Sequence, residues 1–340
     1  MINSTATCFK NLCKNINTTN NLLADKELKS TPLNKLKIMG SYASYSSSGS
    51  YYSANTSLDE LKNNVLLQNR FIHLDVYYNI QNGEKIPIVR GKKNKNYLLF
   101  EDCCSTIQNY AWSSKILSSY PLFLFIYLRY DSINIDVSNK VADILIKYFS
   151  DNWPDIKYKN GFKNGNLATE PLENFINKVV ILTNYHDDLS DKEIKDDESV
   201  KNKHRDNGFY LNELVHSYIK IYDSVTDIMN DNQSNFAALN FKNIMGNKLS
   251  SNQYNNLNDY KKELENKFLI GFSNYNNSQY VTKTYTFNIL DESLSLFNVL
   301  TIIYYNVDDK SDFFDLLKKN MTFFTVKGLF MPIRHLKIFK

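Results

Sequence analysis

Cysteine is the first residue type that this sequence largely lacks. The 340 residues include only four cysteines, at positions 8, 13, 103 and 104. This number fits reduced thiols better than the disulfide framework of a small secreted protein. Cys8 and Cys13 would need further ligands to hold a metal ion, and none is evident in the sequence around them. We therefore predict no metal site and no cofactor.

The sequence also lacks a large excess of charge of either sign, and it lacks long apolar runs. The formal net charge is only +4, from 40 basic and 36 acidic residues, and a charge this small does not by itself indicate a nucleic-acid partner. The longest apolar runs, 121–128 and 299–305, are much shorter than the ~20 residues of a membrane-spanning helix. The N-terminus shows no signal-peptide pattern. We therefore expect a soluble intracellular protein that is not secreted and has no nucleic-acid partner.

Glycine, proline and tryptophan are scarce, with 10, 6 and 2 residues, whereas tyrosine and phenylalanine number 24 and 21. Asn, Lys and Ile are frequent as well. This bias is typical of an AT-rich coding sequence. It describes the genome and does not indicate an activity.

The residues that are present predict a globular α/β protein, since 43% of them are hydrophobic and can bury a large core. Nearly continuous apolar runs at 122–128 and 179–182 are typical of strands buried on both faces of a parallel sheet. Amphipathic helices are predicted at 100–111 and 137–149. Helices between buried strands indicate right-handed βαβ units, so we predict a parallel α/β sheet or barrel. Further strands are predicted at 36–42, 70–77, 86–90, 268–272, 300–305 and 323–326, and further helices at 57–66, 259–267 and 313–317.

One pair of titratable residues lies on a predicted strand. Side chains alternate between the two faces of a strand, so His73 and Asp75 point the same way and form a candidate site. Ser57 and Glu60 form a capping box at the start of the preceding helix. His216 is assigned to a helix, and no second histidine is evident as a catalytic partner for His73.

Several motifs recur in a fixed order across residues 38–184. They are Arg70-Phe-Ile-His-Leu-Asp75, Gly83, Pro87-Ile-Val-Arg-Gly91, the segment 99–112 from Leu99-Phe-Glu-Asp102 to Tyr110-Ala-Trp112, and Tyr120-Pro-Leu-Phe-Leu-Phe125. In order and spacing they resemble the catalytic barrel of phosphatidylinositol-specific phospholipase C in its X-box/Y-box form. Residues 209–331 match the second half more weakly. The resemblance implies a distorted TIM (β/α)8 barrel, the phospholipase C-like phosphodiesterase fold.

The resemblance also divides the chain into four parts. Residues 1–36 are a polar leader, interpreted as disordered or bound by a partner, and 37–184 correspond to the X-box half of the barrel. Residues 185–208 contain eight acidic and five basic residues and are interpreted as a solvated linker between the halves. Residues 209–340 correspond to the Y-box half with a basic tail.

The family's functional residues are nearly all replaced in this sequence. By alignment, the family's two catalytic histidines correspond to Tyr42 and Arg90. Three of its calcium ligands correspond to Ala43, His73 and Tyr127, and only the calcium-site residue Asp75 is retained. The family's phosphate-binding lysines correspond to residues 182–184. Attack on a phosphodiester needs a base of near-neutral pKa, an acid and a cation. Tyrosine and arginine are poor bases, and one carboxylate does not hold Ca2+ against water. No catalytic residue and no metal ion are therefore expected.

The first functional hypothesis is a catalytically inactive phospholipase C-like barrel, a pseudoenzyme that serves as a structural or binding protein. Large DNA viruses carry similar degenerate barrels, and the AT-rich composition agrees with such a source. A virion- or capsid-associated role, with capsid or assembly proteins as partners, is therefore the specific expectation.

The second hypothesis is a residual, calcium-independent phosphodiesterase that acts on phosphoinositides. In this interpretation His73 and Asp75 form the acid/base pair and Arg90 replaces the metal ion. A buried strand histidine that is satisfied by its neighbours is the competing interpretation of His73.

The third hypothesis is an anion-binding module. Arg90, Lys92, Lys93 and Lys95 cluster at a strand end beside the barrel mouth, where phosphates bind in this fold. They are candidates for holding a phosphoinositide headgroup or contacting an anionic membrane surface, although a solvated basic loop has the same composition.

Overall fold

The computed structural model describes residues 26–46, 56–66, 69–92, 94–113, 120–130, 134–159, 165–184, 211–222, 225–231, 236–240, 264, 266–272, 298–302 and 330–332. Residues 1–25 of the predicted leader, the linker 185–208, most of the helix predicted at 259–267, the helix at 313–317, the strand at 323–326 and the tail after 332 lie outside this set.

The described residues form eleven strands and six helices. The strands are β1 (Leu36–Ser41), β2 (Phe71–Gln81), β3 (Glu84–Val89), β4 (Leu98–Leu99), β5 (Leu122–Leu128), β6 (Val179–Asn184), β7 (Ser217–Tyr222), β8 (Phe236–Asn240), β9 (Phe268–Phe272), β10 (Val299–Ile302) and β11 (Phe330–Pro332). The helices are α1 (Lys26–Ser30), α2 (Leu58–Leu66), α3 (Phe100–Ala111), α4 (Ile135–Phe149), α5 (Leu211–Leu214) and α6 (Val225–Asn230). Short 3-10 helices occupy Leu33–Lys35, Ser150–Asn152, Ile156–Tyr158, Leu167–Thr169 and Leu172–Phe175.

Eight of the strands close into a ring of parallel pairs, which confirms the predicted α/β barrel. The order is β1, β2, β5, β6, β7, β8, β9 and β10, and β10 pairs again with β1. The contact between β1 and β2 has only two residue pairs, Gly40 with Phe71 and Ser41 with Ile72. β11 runs antiparallel along the first residues of β1. The barrel is thus distorted at its β1–β2 seam.

Aromatic side chains fill the barrel between the parallel strands. Phe123 of β5 stacks on Phe268 of β9 with ring centroids 5.8 Å apart, and Phe268 stacks on Phe236 of β8 at 4.8 Å. All three are fully buried. Each such residue buries a large apolar area, so the barrel interior is a packed core and not a channel.

The predicted elements are reproduced best where the sequence pattern was strongest. β5 and β9 span the predicted ranges 122–128 and 268–272. The hydroxyl of Ser57 accepts the backbone N–H of Glu60 at 3.3 Å, which is the first half of the predicted capping box. β8 was not predicted, because it lies in an Asn-rich stretch without the apolar pattern of a strand.

The structure differs from two predictions about local structure. His216 was assigned to a helix, but it lies between α5 and the start of β7. Residues 26–36, the last part of the predicted leader, fold against the barrel, where Leu28 and Leu33 are buried. The amide of Asn298 donates to the carbonyls of Leu33, Asn34 and Leu36 and its oxygen accepts the N–H of Leu269, so one side chain ties this segment to β9.

The β2–β3 hairpin extends beyond the barrel. Asn82 and Gly83 have φ values of 51° and 83°, as in the two-residue turns that match strand twist. β2 pairs with β5 only as far as Val76, so the rest of the hairpin stands above the carboxyl ends of the parallel strands. Among the described helices, none has the length and apolar character needed to cross a bilayer.

Candidate functional site

The structure brings five of the six sequence-predicted positions together at the carboxyl end of the barrel. His73 and Asp75 lie near the end of β2, and Tyr127 of β5 is the register partner of Asp75. Tyr42 and Ala43 follow β1 directly. Parallel strands end at the same edge of a barrel, and active sites of this architecture lie there. We call this region the mouth.

His73 is held by the turn that follows β1. Its Nδ1 accepts the backbone N–H of Ala43 at 3.1 Å, and its own backbone N–H donates to Ser44 Oγ at 3.0 Å. Tyr42 stacks on the imidazole with centroids 4.5 Å apart. Ala43 has a φ of 45°, in the left-handed region that non-glycine residues adopt only when their surroundings hold them there.

This arrangement keeps His73 neutral. A ring nitrogen that accepts an N–H carries no proton, so the single imidazole proton is assigned to Nε2. The side chain is fully buried, and burial lowers the pKa of His73 to about 4, with Asp75 opposing and Arg129 adding to the shift. At neutral pH a group with this pKa is a weak base.

Both oxygens of Asp75 are engaged within the protein. Oδ1 accepts from Nε of Arg129 at 2.7 Å, and Oδ2 accepts from the hydroxyl of Tyr45 at 2.9 Å. Nδ1 of His73 is 3.8 Å from Oδ2, which is too far for a hydrogen bond. The carboxylate is fully buried and its charge is balanced by the guanidinium.

Arg129 and Tyr45 were not recognised from the sequence as parts of the site. Arg129 follows β5 and lies over the Tyr127 ring, with Cζ 3.7 Å from the centroid. A signal was available, because β5 is the expected neighbour of β2 and the residue just beyond its carboxyl end should lie near Asp75. The Tyr45 hydroxyl also donates to the carbonyl of Arg90 at 3.0 Å, which ties the mouth to the end of β3.

Arg90, the sixth predicted position, directs its guanidinium away from the mouth. Its Nη1 donates to the carbonyls of Gly91, Lys92 and Asn94 at 3.3, 3.1 and 3.3 Å. Its Cζ lies 4.2 Å from the centroid of the Tyr77 ring. Arg90 therefore organises the loop that follows β3. Lys92 and Lys95 are exposed on that loop, and Lys93 lies outside the described residues.

The described part of the mouth does not fit a calcium ion. Ca2+ takes about six to eight oxygen ligands, several of them charged, whereas Asp75 is the one carboxylate among the six predicted positions and both of its oxygens are occupied. Across the described ranges, no group of three or more His, Cys, Asp or Glu side chains could hold a metal ion. The guanidinium of Arg129 supplies the positive charge beside Asp75.

The mouth is also closed to solvent at the positions that matter for catalysis. The exposed fractions are 1% for Tyr42, 2% for Ala43 and 0% for His73 and Asp75. A phosphodiester would have to approach within about 3 Å of an acid or base to exchange a proton. Among the described residues of the mouth, His73 and Asp75 are shielded from such an approach by their burial.

Residues 29–185 match the family model of the X domain of phosphatidylinositol-specific phospholipase C. Among solved structures, L. pealei PLC21 superposes with a TM-score of 0.62 at 15% identity, over 91% of this chain and 38% of the other. A calcium-dependent phosphoinositol-specific phospholipase C from a Gram-negative bacterium, Pseudomonas sp, gives 0.51 at 11% identity, over 91% and 97% of the two chains.

A Ca2+-dependent phosphatidylinositol-specific phospholipase C from Streptomyces antibioticus also gives a TM-score of 0.51, at 9% identity, over 86% of this chain and 98% of the other. The chain thus spans well under half of the L. pealei protein and nearly the full length of the bacterial ones. No curated protein sequence matches the chain significantly. At these identities the structural similarities establish the fold.

Proposed function

Because the chain is a phospholipase C-like protein, we propose that it is a catalytically inactive member of that fold whose barrel serves as a structural or binding protein. The observation that carries this proposal is the closed set of contacts around Asp75. Arg129 and Tyr45 occupy its two oxygens, and the neutral ring of His73 is buried beside it. Both oxygens of the Asp75 carboxylate are therefore satisfied by the protein itself.

The size of the expected deficit supports the same proposal. Positioned acid/base groups each contribute about 10²- to 10⁴-fold to a rate, and loss of an electrostatic stabiliser lowers kcat by a further ~10²- to 10³-fold. With Tyr42 and Arg90 at the positions of the two family histidines and no calcium ligand set among the described residues, these losses combine. Turnover of a phosphodiester should be negligible.

Hydrolysis of labelled phosphatidylinositol in mixed vesicles tests the proposal directly. We expect no release of inositol phosphates by the purified chain, in calcium or in a chelator, while the Streptomyces antibioticus enzyme serves as the active control. We also expect calcium to leave the thermal midpoint of the chain unchanged. Cleavage that the substitution His73→Ala abolishes would overturn the proposal and favour the residual phosphodiesterase.

The anion-binding alternative is not favoured at the mouth itself. Arg90 was its central candidate, and its guanidinium is used by three loop carbonyls. The lysines on the same loop are outside the mouth. Association with a virion, a capsid or assembly proteins remains a prediction from the composition and the resemblance.

A further inference from the structure

A group of hydrogen-bond donors lies near the amino end of the barrel, away from the mouth. Trp153 and Lys159 belong to the segment that follows α4, and His216 directly precedes β7. α4 leads from the carboxyl end of β5 back toward the amino end of β6, and it packs against α5, the helix just before His216. We call the side chains of Trp153, Lys159 and His216 the donor cluster.

His216 contributes a donor that has no acceptor. Its Nδ1 accepts the backbone N–H of Ile181 at 2.9 Å, so the imidazole proton is assigned to Nε2. The side chain is fully buried, and Nε2 has no hydrogen-bond partner among the described residues. Buried polar groups are nearly always hydrogen-bonded, and one that is not bonded within the protein calls for a ligand or an ordered water.

Trp153 contributes a second donor in the same state. An indole N–H can donate but not accept, and Nε1 of Trp153 is buried without a partner in the part of the chain that the structure describes. The chain has one other tryptophan, and its Nε1 shows the usual state of this group. That residue is Trp112, which donates to the carbonyl of Tyr120 at 3.3 Å. The two indoles therefore form a matched pair, one satisfied and one not.

Lys159 adjoins both of these donors and adds a positive charge. Its Nζ lies 4.1 Å from the centroid of the Trp153 ring, and its charge lowers the pKa of His216. The side chain is half-buried, and burial lowers the pKa of its own ammonium, with Glu213 opposing the shift. Glu213 is exposed on α5, and within the described ranges no carboxylate forms an ion pair with Lys159. The donor cluster thus combines a cation and two N–H groups.

We infer that the donor cluster binds a small inorganic anion. A water molecule accepts at most two hydrogen bonds and needs acceptors for its own two hydrogens, whereas an anion accepts from all three donors and is attracted by the ammonium. The complete burial of His216 favours an ion of one or a few atoms over a phosphate ester or a peptide. The site is outside the mouth, so the inference goes beyond the proposed function and does not depend on it.

Bromide quenching of tryptophan fluorescence tests the inference in the full chain. Trp112→Phe leaves Trp153 as the only tryptophan, so the signal reports on the donor cluster alone. Bromide is exchanged for gluconate at constant ionic strength, which keeps the screening of charges the same. A bound heavy ion quenches the indole that it touches, so we expect quenching that saturates and that chloride reverses by competition. Random collisions alone would give quenching that rises in proportion to the bromide concentration.

Two lysine variants, made in the Trp112→Phe chain, identify the cation. Lys157 also lies over an aromatic ring, that of Tyr158 at 4.7 Å, and it is exposed. Lys159→Met removes a charged hydrogen-bond donor and should weaken the affinity for bromide at least about tenfold. Lys157→Met removes the same charge nearby and should leave the affinity unchanged.

Two tryptophan variants identify the N–H group by a second measurement. Trp153→Phe keeps an aromatic ring beside Lys159 and removes the indole N–H, and Trp112→Phe is its matched control. An anion that binds the folded chain raises the thermal midpoint, so chloride in exchange for gluconate should raise it in the unmodified chain and in Trp112→Phe. The rise should be smaller in Trp153→Phe. General effects of salt act on both variants and cancel in the comparison.

Each pair of variants can overturn the inference by itself. Quenching by bromide that never saturates in the Trp112→Phe chain would show that no anion is held beside Trp153. An equal loss of affinity in Lys159→Met and Lys157→Met would show that the ion is attracted by general surface charge. Chloride shifts of the same size in Trp153→Phe and Trp112→Phe would show that the indole N–H is not a ligand.

Discussion

His73 at the mouth and His216 near the opposite, amino end of the barrel are held in the same way. Each imidazole is fully buried and uses Nδ1 to accept a backbone N–H, from Ala43 at 3.1 Å and from Ile181 at 2.9 Å. Burial lowers the pKa of His73 to about 4 and of His216 to about 3. A histidine at the catalytic end therefore has the environment of a structural histidine elsewhere in the fold.

The two sites differ in their charged neighbours. His73 lies beside Asp75 and Arg129, whose opposite effects on its pKa partly cancel. The charged neighbour of His216 is Lys159, a cation that lowers its pKa further. The Asp75 carboxylate is bound by Arg129 at 2.7 Å, whereas Nδ1 of His73 lies 3.8 Å from it, beyond hydrogen-bond distance.

The largest expected effect is a loss of folding stability at acid pH, to which both histidines contribute. Both are neutral in the folded protein and would be protonated in the unfolded chain below the ordinary pKa of 6.5. The unfolded state then binds more protons, so stability is complete above about pH 6.5 and falls as the pH is lowered. The expected loss is roughly 3 kcal/mol from His73 by pH ~4 and roughly 5 kcal/mol from His216 by pH ~3.

Urea unfolding between about pH 6.5 and 5 measures this loss where ordinary carboxylates do not yet titrate. The slope should rise from about one proton at pH 6.5 to nearly two at pH 5, because each histidine of the unfolded chain is half protonated at its ordinary pKa. Either His73→Gln or His216→Gln should halve it. If only the His216 variant changed the slope, His73 would not be a structural histidine and the comparison would fail.

The second effect concerns the ion pair between Arg129 and Asp75, which lies beside His73 and not beside His216. Arg129→Met should lower the free energy of unfolding by about 3–5 kcal/mol, because it leaves the buried carboxylate of Asp75 without its cation. The matched control is Lys147→Met, which removes the exposed partner of Glu101 and should change stability little. Adding Asp75→Asn to Arg129→Met should restore much of the loss. Equal, small changes in Arg129→Met and the control would show that the ion pair does not stabilise the mouth.

The third effect concerns the second ligand of Asp75. Tyr45→Phe removes one hydroxyl that donates to both the carboxylate and the carbonyl of Arg90, and we expect a loss of about 1.5–3 kcal/mol, as for hydrogen bonds to charged groups. The control is Tyr97→Phe. It removes a more exposed hydroxyl, which accepts a hydrogen bond from the amide of Gln81. A Tyr45 variant as stable as this control would mean that solvent replaces the bond and that the mouth is open.

The smallest effect is a change in pKa alone. Arg129 lowers the pKa of His73, so Arg129→Met should raise it, and the pKa of His216 should not move. NMR titration of the imidazole signals, from neutral pH down to the lowest pH at which the variant stays folded, follows the onset of protonation of both histidines in one sample. A parallel rise in both would indicate general loosening of the barrel and not a local change of charge.

Much of the fold could be predicted because its strongest signals are local. A run such as residues 122–128 is apolar on both faces and therefore predicts a buried strand whatever surrounds it. β8, with only the residues Phe-Ala-Ala-Leu-Asn inside an Asn-rich stretch, gives no such signal. Its strand conformation comes from pairing with β7 and β9 on either side.

The sequence by itself determined most of the alternation of strands and helices, through its periodicity. Through the order of its motifs and their family resemblance, it also placed Tyr42, Ala43, His73, Asp75 and Tyr127 at the mouth. Only the tertiary structure decided the state of those residues. Asp75 and Arg129 are 54 positions apart and meet because β2 and β5 pair in one particular register. Local pattern reports how a side chain is placed on its own strand, but the partner of a buried charge depends on the length and rotamer of side chains from neighbouring strands.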